Sequence, residues 1–138
     1  MTTLSVDCRA MMLDGLEDFM EVGASTANFT VYQGSTSLCV FPLAAAPFGA
    51  GNADSIVASS TPISSTGTEV AGKANRFVVT NQDGDTAFSG TISAIGGGGD
   101  IETPSVTVSA GLTQSLNSLV LRMSADGSLS IEASITFV

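Results

Sequence analysis

The sequence predicts a mostly β domain, an antiparallel β-sandwich or jelly-roll-like fold carrying one N-terminal α-helix. Three observations lead there. Apolar and polar residues alternate from residue 24 onward, Asp-Gly and glycine-rich turns separate runs rich in Val, Ile and Thr, and only residues 1–23 carry a helical period. A chain of 138 residues suits a single domain and can bury about two-thirds of the surface its unfolded form exposes.

Along the chain, Asp7 to Glu21 reads as an amphipathic helix, with Cys8, Met12, Leu16 and Phe19/Met20 recurring at i, i+4, i+8 and i+11/12. Leu13 widens that stripe. Asp14, Glu17, Asp18 and Glu21 fall largely off it, Ser5 supplies a cap, Gly15 weakens the interior, and Gly23 ends the helix. The apolar face is read as a lid on the domain's own core in preference to a docking surface. Ala27 to Tyr32 and Leu38 to Phe41 form a hairpin across Gly34, after which Pro42 and Pro47 punctuate the chain. Residues 49–74 read as a loose Gly, Ser and Thr-rich loop region with a weak strand at Ile56 and Val57, and loops of that length are usually functional.

From Arg76 the pattern sharpens. Arg76 to Thr80 and Ala87 to Ile95 flank the turn Gln82-Asp83-Gly84-Asp85, a strong hairpin signal. Glycines 96–99 break the chain as a flexible turn, Ser105 to Ser109 is a short strand, and Leu116 to Ser124 leads through Ala125-Asp126-Gly127 into Ser128 to Val138. In the last strand Leu129, Ile131, Ala133, Ile135 and Phe137 share the inner face, and Ser130, Glu132, Ser134 and Thr136 the outer.

Composition bounds the partners. Apolar residues make up 43% and charged residues 12%, about half the usual charged share, which suits a surface covered by neighbouring protein. A net charge of −9, from 13 acidic and 4 basic residues, repels nucleic-acid backbones and anionic membranes. No apolar run approaches the ~20 residues of a membrane span, and the N-terminus has no secretory-signal pattern, so folding in a cytoplasm is expected. Cys8 and Cys39 are expected to be free buried thiols, because two isolated cysteines show no framework spacing.

Motifs that suggest chemistry dissolve in context. Gly67-Thr-Glu-Val-Ala-Gly72-Lys73-Ala74 matches most of a phosphate-binding loop, but Ala74 replaces the hydroxyl that holds Mg²⁺ and the next segment is a strand. Asn81, Asp83 and Asp85 alternate around a glycine and are weak candidates for Ca²⁺, lacking the remaining ligands of a full calcium loop. With no histidine, no tryptophan and one tyrosine, the chain offers no imidazole base, and its dispersed acids imply no aromatic-lined cleft. No catalytic residue, cofactor or resident metal is expected.

The order Met11-Met-Leu-Asp-Gly-Leu16, Phe29-Thr-Val-Tyr-Gln-Gly34, Ala46-Pro-Phe-Gly49, Gly72-Lys-Ala-Asn-Arg-Phe-Val-Val79, Asp83-Gly84, Phe88-Ser-Gly-Thr-Ile-Ser93 and Gly97-Gly-Gly-Asp-Ile101 resembles a group of small tailed-bacteriophage virion structural proteins. The resemblance spans nearly the whole chain through turn and strand motifs. It implies a particle component in the virion, a head decoration or cement protein on the major capsid protein, with a tail or connector role as the alternative. By analogy with decoration proteins it also implies a homo-oligomer, a trimer on a local three-fold axis.

Overall fold

The computed structural model describes residues 2–49 and 54–138. The helix α1 (Val6–Met20) starts where the cap chemistry placed it, the Ser5 hydroxyl accepting from the Cys8 N–H at 3.2 Å. Its inward residues are Leu13 and Met20, both fully buried, with Leu16 half-buried against the same core. Cys8 is exposed, against expectation. The helix is rotated so that Leu13, Leu16 and Met20 form the lid, turning Cys8, Met12 and Phe19 outward.

The chain then folds as a mostly β sandwich. β1 (Asn28–Gln33) and β2 (Thr36–Pro42) are the expected hairpin. Beyond them lie β3 (Phe48–Gly49), β4 (Ser55–Ala58), β5 (Ile63–Ser64), β6 (Gly72–Lys73), β7 (Arg76–Thr80), β8 (Thr86–Ala94), β9 (Ile101–Thr103), β10 (Thr107–Val108), β11 (Ser115–Met123) and β12 (Leu129–Thr136). One sheet runs β2-β1-β7-β8-β9 and the facing sheet β12-β11-β4-β3, with β5 on the start of β11 and a small β10-β6 ribbon.

Four phenylalanines cross the inner face of the first sheet as a row. Phe41, Phe29, Phe77 and Phe88 come from β2, β1, β7 and β8, with ring centroids 6.1, 5.2 and 6.3 Å apart in edge, stacked and edge contacts. Phe29 pairs with Phe41 on one side and lies diagonal to Phe77 on the other, the cross-strand geometry that lets large rings interlock.

Two expectations are corrected. The β8–β9 pair is parallel, Ile92 opposite Ile101, so the first sheet is not purely antiparallel. So short a return is possible because glycines 96–99 build it: a Cβ on Gly99 would lie 2.8 Å from the Ser93 N, while the Gly99 N–H donates to the Ser93 hydroxyl at 2.9 Å. That turn is held by hydrogen bonds rather than left as a loose hinge. Of the 49–74 stretch, 50–53 lie outside the described residues and 54–74 are likewise anchored. Ile56, Ala58, Ile63 and Ser65 are buried, and the N–H groups of Thr66 and Val70 donate to the Val40 and Leu38 carbonyls, covering the free edge of β2.

The last strand takes the predicted faces but with graded depth. Ile135 and Phe137 are buried, Ile131 and Ala133 half-buried, and Leu129 is exposed, while Ser130, Glu132, Ser134 and Thr136 all face out. The helix explains where the sandwich ends. The Leu4 N–H bonds to the Ala125 carbonyl in the β11–β12 turn, Arg9 faces Asp54 at 3.8 Å, and Gly23 packs on the β7–β8 turn. α1 therefore spans one end of the sandwich from sheet to sheet.

Candidate interaction surface

The sequence motifs that resemble ligand sites are consumed by the fold. Gly72 and Lys73 pair with Val108 and Thr107 in the β10-β6 ribbon, the Lys73 N–H donates to the Gln33 side chain at 3.1 Å, and β7 follows where a phosphate loop needs a helix. Asn81, one of the weak calcium candidates, is buried, and its side-chain oxygen accepts from the N–H groups of Asp83 and Asp85 at 3.0 and 2.9 Å. That oxygen organises the turn and is turned away from solvent, so the three residues form no open oxygen cage. Among the described residues no group of three or more His, Cys, Asp or Glu side chains converges.

Polar chemistry inside the molecule forms a latch at the end opposite the helix. The Ser65 hydroxyl donates to the Glu69 carboxylate and accepts from the Gln114 N–H at 2.8 Å. The Gly67 N–H donates to the same carboxylate oxygen at 3.0 Å. Gln114 in turn bridges to the C-terminal residue, accepting from the Val138 N–H at 2.6 Å and donating to its backbone oxygen at 3.1 Å. The Ser65 hydrogen bond, helped by backbone N–H groups and opposed by burial, holds the Glu69 carboxyl below the usual range. Burial pushes the neighbouring Cys39 thiol up to about 12, with Glu69 adding to the effect. A protonated, buried thiol is inert, and Ser65 faces no imidazole, so this cluster joins chain segments and activates no nucleophile.

One groove does have aromatic walls, which the dispersed acids did not suggest. It lies between Phe77, Phe88 and Ser89 on one sheet and Leu129, Ser130 and Ile131 of β12, with a volume of about 220 Å³. Its single carboxylate, Asp100, accepts from the Thr91 N–H at 2.9 Å and the Thr91 hydroxyl at 3.2 Å. One tied carboxylate provides no acid–base pair.

What remains open is the outer face of α1. Met11 is 74% exposed, Met12 43% and Phe19 37%, with Val22 just past the helix at 47%. Cys8, Met12, Gly15 and Phe19 follow one another at spacings of four, three and four residues, which lines them along one side of a helix. A Cβ placed on Gly15 would meet nothing within 4 Å. Asp7, Asp14, Asp18 and Glu21 run along one flank of this seam, and burial together with Asp14, Glu21 and Asp18 raises the Glu17 carboxyl above its usual value. The stripe of Cys8, Met12, Leu16 and Phe19/Met20 read from the sequence mixes this seam with the inner one of Leu13, Leu16 and Met20, whose spacing is three and four. Hydrophobicity alone could not say which of the two would face the core.

No family model, curated protein or solved structure matches the chain. No helix among the described residues is long and apolar enough to cross a membrane.

Proposed function

We propose that this chain is a non-enzymatic structural protein of a tailed-bacteriophage virion, a head decoration or cement protein that binds the major capsid protein and stabilises the shell. One observation supports a binding role above others: the exposed Met11, Met12 and Phe19 seam, on a domain whose buried Ser65 bonds to Glu69 and Gln114. The virion assignment rests on the motif resemblance. A clamp across two shell subunits stabilises the lattice by mass action, and several weak contacts acting together give avidity, so no chemistry is required. A homo-oligomer, a trimer on a local three-fold axis, is the form in which one small domain repeats such contacts.

A tail or connector component with a host-binding loop cluster is the alternative. Its candidate loop, 49–74, is tied into the sheets over its described part, which favours the head role. The test is imaging of purified particles, with heat release of DNA from particles lacking the protein. Depleted heads should assemble and then release DNA at a lower temperature, and added protein should restore the difference. A chain located only along tails, or depleted heads as heat-resistant as complete ones, would overturn the head role.

A further inference from the structure

We propose that the outer seam of α1 is a docking face for a basic amphipathic α-helix of another protein. This deepens the binding role above but stands on the helix itself, whichever part of a particle the chain occupies. The seam has the spacing of a helix-packing stripe, with Met11 and Met12 as adaptable side chains, Phe19 as a ring anchor, and Gly15 as a gap where a partner side chain can seat.

Charge selects the partner. The helix carries Asp7, Asp14, Glu17, Asp18 and Glu21 against a single basic residue, Arg9, which is half-buried and faces Asp54. Two copies of α1 brought seam to seam would bring the four flanking acids of each copy, Asp7, Asp14, Asp18 and Glu21, close to those of the other, so self-pairing through this face is opposed. A helix with lysines or arginines beside an apolar stripe meets both features, its cations facing Asp7, Asp14, Asp18 and Glu21 and its apolar residues covering Met12 and Phe19.

The probe is a synthetic amphipathic helix with a leucine seam and lysine flanks. A scrambled peptide of the same composition and a glutamate-flanked version serve as comparisons. Binding to the full chain is followed by fluorescence anisotropy, with sedimentation of the protein alone alongside. The lysine-flanked seam peptide should bind, with the other two at least about tenfold weaker. Met12→Ser and Phe19→Ser, on exposed positions with the fold checked by circular dichroism, should each weaken it about tenfold, the scale of losing one anchor. The pair Asp14→Asn and Asp18→Asn should weaken it and flatten its salt dependence. Equal binding of the scrambled peptide, no binding at all, or self-association that Met12→Ser abolishes would each overturn the proposal. A protein absent from particles leaves the peptide result standing, whereas particle binding undiminished by Met12→Ser and Phe19→Ser overturns this inference alone.

Discussion

The two ends of the sandwich are closed by opposite means. At one, α1 lies across the opening and seals it with Leu13 and Met20; at the other, Ser65, Glu69 and Gln114 hydrogen-bond the 65–70 segment to the C-terminal residue. The helix end gathers the five helix acids with Asp54, Asp83, Asp85 and Asp126, nine of the chain's 13. The latch end keeps its one carboxylate, Glu69, buried. A helix has a full circumference, so sealing with one side leaves another exposed, whereas a polar latch spends its groups inward. The helix end therefore keeps an apolar side exposed, and the latch end is built to hold.

The largest effects test the core that both ends share. Leu13→Asp and Ile135→Asp each bury an unpaired charge, at a cost of several kcal/mol against a whole stability of ~5–15 kcal/mol, and neither variant should fold. Ser134→Asp, one residue away on the outer face, should melt like the parent. If Ser134→Asp and Ile135→Asp melt alike, the inward face of β12 is misassigned.

Next comes the joint between helix and sheet. Gly23 has φ +117°, and a Cβ there would lie 2.5 Å from the Asp83 N, so Gly23→Ala should cost about 3 kcal/mol in urea unfolding through strain and collision. Ser65→Ala should cost somewhat less, on the order of 1–2 kcal/mol, by leaving the buried Gln114 N–H without its acceptor. Gly23→Ala as stable as the parent would show that the helix is not pinned at the β7–β8 turn.

Mild acid should move the contributions of Glu17 at the helix end and Glu69 at the latch end in opposite directions. Glu69 is lowered in the folded state, so its contribution is present above the ordinary value of 4.5 and is lost as pH falls through the lowered one. Glu17 is raised, so its contribution is present below 4.5 and is lost as pH rises through the raised value. Asp126, held down to about 2 chiefly by the Ser128 hydroxyl, loses its contribution only in stronger acid. In denaturation at successive pH values, Glu69→Gln should therefore lessen the loss of stability below pH 4.5, and Glu17→Gln should remove the gain on mild acidification. The same slope in both variants would erase the contrast between the ends.

The smallest effect concerns the thiols. Exposed Cys8 should react with a soluble thiol reagent in the native state, whereas Cys39, buried and pushed up to about 12, should react only on unfolding. Two equally fast thiols would mean that the latch end opens readily.

By itself the sequence determined what nearest-neighbour chemistry controls. Ser5 began the helix, Asp83-Gly84 and Asp126-Gly127 set two hairpin turns, and strict alternation set the faces of β12, because caps, turns and pleats act over a few residues. Only the tertiary structure decided the rest. It chose which of two apolar seams on α1 faces the core, paired β8 with β9 in parallel across four glycines, and drew the 66–70 part of the loose-looking region onto the edge of β2. It also brought Ser65, Glu69 and Gln114 together, and aligned Phe41, Phe29, Phe77 and Phe88 in a row. Each of these outcomes depends on burying a particular surface against residues remote in sequence, and local periodicity carries no record of which remote residues those are.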